Sequence, residues 1–302
     1  MRIWFVGTGK FAALCLKNLV ENNIELEKII TGLPTRSGRG GKEQASQVEL
    51  EALKLNLNNI VTRTGLLSKN EDLIHEVNNN SPDLIFVIDF GQIIREPFLN
   101  AAKFGCLNIH PSLLPKWRGA APVQRALMNG DDKVGVTVFR LVEAMDAGGI
   151  LAQGGLNINK DVGAEELYEK LSALGVELVI NKIKSGELDN LISQDDKLAS
   201  YADKISRDEF EINFEISADE FNNRVRALDA SGGAFVMFNG KRLKIWKTHV
   251  IDEEVLENLK PDKEREGIIF KCADKAVSLI EVQAEGKGRM SGLAWARGQR
   301  II

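Results

Sequence analysis

The chain has 302 residues and a formal charge of −4, from 39 Lys and Arg against 43 Asp and Glu. Hydrophobic residues make up 44% and charged residues 27%, which excludes a disordered or low-complexity chain, and the near-neutral charge excludes a nonspecific nucleic-acid coat. The length predicts about two domains at roughly 150 residues each, and three scattered cysteines (Cys15, Cys106, Cys272) suit a reducing cytosol better than a disulfide or zinc scaffold.

Ile3-Trp4-Phe5-Val6 is a continuous apolar run that closes on Gly7. It predicts a strand buried on both faces and is too short for a targeting segment. Residues 11–20 carry Phe11, Leu14, Cys15 and Leu19 at helical spacing, with Lys17 and Asn18 on the other side. Ile29-Ile30, Leu84-Ile85-Phe86-Val87-Ile88, Cys106-Leu107-Asn108-Ile109-His110 and residues 134–141 read as further strands. Such alternation predicts a mostly parallel sheet flanked by helices, whose ligands bind beyond the carboxyl ends of the strands. A helix follows over 164–184, with Leu167, Leu171, Leu174, Val179 and Ile183 at three- and four-residue steps. Residues 193–200 are polar and read as a linker. Beyond Ser206 a helix over 218–228 precedes short alternating strands at 234–238, 243–250, 267–272 and 277–283. That half reads as a small antiparallel barrel or sheet. The expected division is an α/β domain over 1–190, a linker over 191–206 and a C-terminal domain over 207–302. No apolar stretch nears the ~20 residues of a membrane helix.

Gly7-Thr8-Gly9-Lys10-Phe11-Ala12 sits between a strand and a helix, as a dinucleotide-binding turn would. Such a site also needs an acid at the end of the second strand, and Lys28-Ile29-Ile30-Thr31-Gly32 ends without one. A tight structural turn is the better reading. The chemistry concentrates in Asn108-Ile109-His110-Pro111-Ser112-Leu113-Leu114-Pro115-Lys116-Trp117-Arg118-Gly119-Ala120-Ala121-Pro122. Strand alternation puts Asn108 and His110 on one face, Pro111 holds His110 extended and Pro115 starts a second bend. An amide able to donate to a developing oxyanion then stands beside an imidazole able to move a proton near neutral pH. That pairing suits acyl transfer, although a strand-end His is also common in purely structural roles. Asp146 lies in Glu143-Ala144-Met145-Asp146-Ala147-Gly148-Gly149, a turn after the 134–141 strand. Its carboxylate either serves His110, directly or through water, or simply forms the turn. Ser112 lacks the Gly-x-Ser-x-Gly setting of a hydrolase nucleophile. His75, His110 and His249 lie far apart without close-spaced His or Cys, so no metal site is expected. The stretch from Leu33 to Lys42 sets Arg36, Arg39 and Lys42 among Gly38, Gly40 and Gly41, with Gly32 just before. It predicts a cationic hairpin or loop able to enter a nucleic-acid groove, with a plain solvated loop as the alternative.

Asn108-x-His110-x-Ser112-Leu113-Leu114-Pro115, followed by Trp117-Arg118-Gly119-Ala120-Ala121-Pro122 and then Asp146, resembles the signature of the folate-dependent formyltransferases. The similarity runs nearly end to end. It passes through Gly38-Arg39-Gly40, Gln124-Arg125-Ala126-Leu127, Gly135-Val136-Thr137, Tyr201-Ala202-x-Lys204-Ile205 and Gly286-Lys287-x-Arg289-Met290-Ser291. The resemblance implies an α/β fold, a Rossmann-like mostly parallel sheet with flanking helices, joined to a small OB-like C-terminal β-barrel that contacts tRNA. It implies a cytoplasmic enzyme moving a formyl group from 10-formyltetrahydrofolate to the amino group of methionyl initiator tRNA, for translation initiation, without a covalent enzyme intermediate. By residue it implies Asn108, His110 and Asp146 as the catalytic set. Ser112, Leu113, Leu114 and Pro115 would line the folate site, with Phe90 and Gly91 walling the pteridine pocket. Arg36, Arg39 and Lys42 would meet the tRNA. Three places depart from the family pattern: Thr35 and Ser37 replace Asp and Pro, Ala147 replaces Thr, and Ala230-Ser231-Gly232-Gly233-Ala234 replaces Pro-x-Pro-Gly-Ala.

Residues 241–302 hold 13 Lys and Arg against 10 Asp and Glu, a locally basic surface on a net-acidic chain. A formyltransferase acting on a sugar-nucleotide amine or another small amine shares the chemistry but needs neither the Arg39 loop nor the C-terminal barrel. A NAD-dependent oxidoreductase is disfavoured by the missing strand-end acid, and a catalytically dead RNA-binding module by the presence of Asn108, His110 and Asp146. Nothing demands a dimer or a membrane partner, so a monomer is expected.

Overall fold

The continuous apolar runs become strands buried on both faces. The structure, a computed structural model, describes residues 1–37, 42–252 and 258–302. In chain order it opens with β1 (Ile3–Gly7), α1 (Lys10–Glu21), β2 (Lys28–Gly32), β3 (Thr35–Ser37), β4 (Lys42–Gln44), α2 (Gln47–Lys54) and β5 (Val61–Thr64). Next come α3 (Glu71–Asn79), β6 (Leu84–Ile88), α4 (Phe98–Ala101), β7 (Cys106–His110), β8 (Arg118–Gly119), α5 (Pro122–Met128), β9 (Lys133–Arg140), β10 (Ile150–Asn157) and α6 (Ala164–Ser185). Seven strands form one sheet in the order β10-β9-β7-β6-β1-β2-β5. The run from β5 to β7 is parallel, and β9 joins β7 antiparallel, setting His110 opposite Thr137 and Asn108 opposite Phe139.

Every residue of β1 and β6 is buried, as a strand covered on both faces requires. Trp4, Val6, Ile30, Ile85 and Val87 pack with Leu73 and Val77 of α3 and with Phe98. Their strand neighbours Phe5 and Phe86 turn to the opposite face and are also fully buried. The helix read over 11–20 is α1, whose Phe11, Cys15, Leu16 and Leu19 are buried. β5 and β10 are absent from the sequence reading. Both close the ends of the sheet, where burial is partial and a strand forms with little apolar content.

After β11 (Tyr201–Ala202) come α7 (Ala218–Leu228), β12 (Ala234–Phe238), β13 (Lys241–Ile251), β14 (Lys260–Asp262), β15 (Gly267–Lys271), β16 (Ala276–Ala284), β17 (Met290–Ser291) and α8 (Gly292–Gly298). These strands form an antiparallel sheet in the order β12-β13-β16-β15-β14, with β17 on β16. Register shifts between Ile245 and Thr248 bend β13. Beneath it Phe214 stacks between Phe221 and Phe270, at ring-centroid distances of 4.9 and 4.5 Å. The chain divides into two compact units. One comprises Met1–Gly119, Gly135–Gly155 and Tyr168–Tyr201; the other comprises Ala120–Val134, Leu156–Leu167 and Ala202–Ile302. Among the described residues no helix is long and apolar enough to cross a membrane.

Gly175 in α6 faces Ile109, the residue between Asn108 and His110 on β7. A Cβ there would collide with Ile109 Cγ2 and come within 2.9 Å of Val136 Cγ2. Alanine gains about 0.8–1.0 kcal/mol over glycine in helix propensity, but overpacking a closed core costs about 1–3 kcal/mol. Overpacking wins. Gly175→Ala is therefore expected to lose about 1–2 kcal/mol of stability in urea titration, and a more stable variant would mean that α6 can withdraw from β7.

Candidate functional site

At the carboxyl end of β7, His110 is almost wholly buried and Asn108, two residues before it on the same face, is half-buried. The His110 Nε2 lies 2.9 Å from the carbonyl oxygen of Trp117. A carbonyl only accepts, so Nε2 carries the ring proton and the neutral imidazole presents a bare lone pair at Nδ1. Nδ1 faces the Asp146 carboxylate, 3.9 Å from Oδ2. That is beyond hydrogen-bond length, so two acceptors face each other, and the carboxylate attracts the ring only when Nδ1 takes up a proton. The same Oδ2 accepts a hydrogen bond from the Gly119 N–H at 2.8 Å. Phe139 closes one side of the imidazole, edge-on with centroids 6.3 Å apart. Asn108, His110 and Asp146 thus lie at one place, although 36 residues of chain separate His110 from Asp146.

Two non-glycine residues here adopt left-handed backbone, Trp117 at φ 62 and Asp146 at φ 49. Hydrogen bonds hold both. The Trp117 N–H donates to Ser200 Oγ at 3.0 Å, and the Arg118 N–H donates to the Ser200 carbonyl at 2.8 Å. The Gln194 side-chain amide donates to the carbonyls of Asp146 and Gly148, both at 2.8 Å. Gly148 admits no side chain, because a Cβ would collide with the Arg140 carbonyl.

The segment expected to line a folate site is tightly tethered. Ser112 spends its hydroxyl on the Lys116 carbonyl at 2.7 Å. Thr137 Oγ1 donates to the Ser112 carbonyl at 2.6 Å and accepts from the Leu114 N–H at 3.0 Å and from Gln153 Nε2 at 2.9 Å. Leu113 rests on Gly135, Leu114 is buried, and Pro115 follows a cis peptide bond. Phe90 turns into the apolar core beside Ile94 and Phe98, whereas Gly91 is exposed at φ 74. Of the expected RNA-contacting residues, Arg39 lies outside the described residues. Arg36 and Lys42 stand on β3 and β4, which pair antiparallel as a hairpin with Ser37 opposite Lys42.

The C-terminal sheet carries a second cluster that sequence spacing does not disclose. The Arg289 guanidinium lies 3.5 Å from the centroid of the Trp246 ring, and Lys244 Nζ lies 5.4 Å from it. Arg242 covers Phe235 in the same way at 4.4 Å. Cations stacked on aromatic faces across neighbouring strands suit contact with a phosphate backbone and its bases.

With this geometry in view, comparison with known proteins places the chain. The formyl transferase family model matches residues 1–183, and the model of the formyl transferase C-terminal domain matches residues 204–300. A methionyl-tRNA formyltransferase of Caldicellulosiruptor saccharolyticus is 35% identical over 308 residues, covering 100% of this chain and 98% of that protein. One from Ehrlichia canis is 37% identical, covering 95% of this chain and 93% of the other. Among solved structures, WlaRD, a sugar 3N-formyl transferase, superposes with a TM-score of 0.66 at 22% identity over 95% of this chain and 99% of its own. HypX from Aquifex aeolicus gives 0.66 at 19% identity over 99% of this chain, which spans about half (47%) of that longer protein. These two likenesses concern the fold.

Three further residues escape sequence reasoning: Gln194, Ser200 and Asp89. The first two sit in a polar stretch with no periodicity to mark them, and Arg118, present in the signature, carries no assigned role there. Asp89 follows β6 in left-handed backbone at φ 45, and its carbonyl accepts the N–H groups of Thr8 and Gly9 at 3.1 Å each. The residue is exposed as a whole, yet its carboxyl tucks under the turn, so that a Cβ on Gly9 would collide with Oδ2. Loss of water pushes its pKa up to about 6, against the opposing pull of the Phe11 N–H. An acid whose pKa is raised on folding binds its proton more tightly in the native state. Stability therefore falls as pH rises from 3.8 to about 6, and is level above. Asparagine keeps the acceptor, tolerates left-handed backbone and never ionises. Relative to the wild type, Asp89→Asn should gain melting temperature between pH 4 and 7 and hold that gain at pH 8; an unchanged difference across that range would show that the carboxyl keeps its water.

Proposed function

The chain belongs to the formyl transferase family, and from that premise we propose that it transfers a formyl group from 10-formyltetrahydrofolate to the amino group of methionyl initiator tRNA. The observation that carries the chemistry is the pair of facing acceptors, His110 Nδ1 and Asp146 Oδ2, 3.9 Å apart with no donor of their own between them. An amine nitrogen about 2.9 Å from each would give one N–H to the imidazole and one to the carboxylate. The folate co-substrate supplies the formyl carbon and departs with the electron pair of the broken carbon–nitrogen bond.

The residues of the chain do the rest. As the amine adds to the carbonyl carbon, the Asn108 amide donates to the oxygen that gains negative charge, a role worth about 10²–10³-fold in rate. His110 Nδ1 takes the amine proton. The resulting imidazolium keeps its Nε2–H on the Trp117 carbonyl and lies beside the Asp146 carboxylate, so both charges are compensated where they form. The proton can then return from His110 to the departing nitrogen, which leaves His110 ready for another turnover. Ser112, Leu113, Leu114 and Pro115, braced by Thr137, form the wall along the folate, with Gly91, just beyond β6, beside the pteridine and Phe90 packed into the core behind it. No metal takes part in this scheme.

For the acceptor, the β3–β4 hairpin carrying Arg36 and Lys42, and the Arg289–Trp246–Lys244 cluster, favour RNA over a small amine. A sugar-nucleotide amine remains the second reading, since the structural neighbour WlaRD is a sugar 3N-formyl transferase. On the RNA reading, residues 1–190 are catalytic, 191–206 a connector and 207–302 the RNA-contacting domain. The three free cysteines fit a cytoplasmic enzyme, which we take to act as a monomer.

In a formyl-transfer assay, His110→Ala and Asp146→Ala should each cost about 10²–10⁴-fold in turnover while folate binding survives. Wild-type-like turnover in both would remove the mechanism. Charged initiator tRNA should far outperform a sugar-nucleotide amine offered side by side, and the reverse order would establish the second reading. Arg39→Ala should weaken use of tRNA and reduce the slope of its salt dependence by about one, leaving the KM for folate unchanged. A changed folate KM with an unchanged salt slope would place Arg39 at the donor site instead.

A further inference from the structure

The strands bring His110 and Asp146 close, but their aim is set by the loop at Trp117–Gly119, and that loop is held by a segment which sequence alone marks as a linker. Gln194 is its hub. Both N–H groups of the side-chain amide are used, on the carbonyls of Asp146 and Gly148. Its oxygen accepts from the Arg118 guanidinium, at 2.8 Å from Nη2 and 3.2 Å from Nε. An amide with its donors and acceptor engaged has one orientation and cannot swing. Arg118 is only 4% exposed and reaches Asp196 Oδ1 at 2.7 Å. The Asp196 side chain is 81% exposed, so that ion pair is screened and adds little. A few residues on, Ser200 receives the N–H groups of Trp117 and Arg118.

We propose that the segment from Gln194 to Ser200 is the positioning element of the catalytic pair, with Gln194 fixing the left-handed Asp146 turn and Ser200 fixing the carbonyl that orients His110. This rests on the roles given above to His110 and Asp146. Gln194 touches neither substrate nor reacting atoms in this scheme; it acts through Asp146. Misplacing a reacting group by about 1 Å costs about 10²-fold, so a partly released Asp146 should cost somewhat less.

The test is a double-mutant cycle on the full-length protein, read as kcat and as KM for 10-formyltetrahydrofolate. Gln194→Ala should lower kcat by about 10–100-fold and leave KM within about twofold. In an Asp146→Ala background the same change should cost nothing further, because the residue it serves is gone. Losses that multiply in the double variant, or a KM that rises while kcat holds, would make Gln194 a structural residue and overturn the proposal. Gln194→Glu preserves volume and removes both donors, so it should behave as Gln194→Ala; full activity in it overturns the proposal as well. If Gln194→Ala fails to fold, by loss of its circular dichroism signal, the cycle is run with Gln194→Glu. An Asp146→Ala variant as active as the wild type would bring down the underlying functional reading instead, a result distinct from failure of the coupling.

Discussion

His110 and Asp146 are both oriented by one short stretch of backbone. The Trp117 carbonyl accepts from the Nε2–H of His110, and two residues later the Gly119 N–H donates to Oδ2 of Asp146. A strand fixes where a side chain starts but leaves its rotamer free, so these two bonds decide which ring nitrogen is bare and which carboxylate oxygen faces it. The loop that provides them is strained. Left-handed backbone at a non-glycine residue costs of order 1–3 kcal/mol, and both Trp117 and Asp146 adopt it. One hydrogen bond returns only about 0.5–1.5 kcal/mol, so no single contact would hold either residue. The bonds from Ser200 and Gln194 are numerous enough to offset the strain.

Topology explains why the site lies at β7 rather than elsewhere along the sheet. The strands from β5 to β7 run parallel, and β9 reverses direction beside β7. The reversal sets Thr137 opposite His110, where its single hydroxyl ties the Ser112 carbonyl, the Leu114 N–H and Gln153 together. A parallel neighbour would direct its own carboxyl end the same way as β7 and compete for that space. The antiparallel strand instead offers its interior, buried and rigid, as a wall.

Much of this was legible in the sequence, and the boundary of legibility has a physical cause. Period-two and period-3.6 patterns report burial, so β1, β6, β7, α1, α7 and β12 could be read directly, and so could the shared face of Asn108 and His110. Edge strands β5 and β10 bury little and leave a weak pattern. Asp146 could be read from the residues only as one of two alternatives, a partner of His110 or a turn former, because its bond to Gly119 spans 27 residues and no periodicity connects them. Gln194 lies 48 residues beyond Asp146 in a stretch whose composition reads as solvated. The aromatic-cation pair Trp246 and Arg289 likewise depends on strands that meet only after folding. Local composition records what a segment buries. It does not record which distant backbone it will hydrogen-bond.

The Gly7–Gly9 turn shows how a familiar element can be present without its familiar ligand. A helix N-terminus attracts anions because its N–H groups are unsatisfied and its dipole is positive there. At α1 those donors are already taken: Asp89 accepts the N–H groups of Thr8 and Gly9 through its carbonyl and that of Phe11 through its side chain. A phosphate entering this turn would find few free donors and, near neutral pH, a carboxylate beside it. Two unit charges 4 Å apart repel by about 4 kcal/mol at an effective dielectric of 20, close to a thousandfold in affinity. An acid missing from the end of β2 made a dinucleotide site doubtful, and an acid present at the end of β6 supplies the positive reason. With that position filled by the chain itself, the exposed chemistry of the sheet passes to the next strand end, where Asn108 and His110 stand.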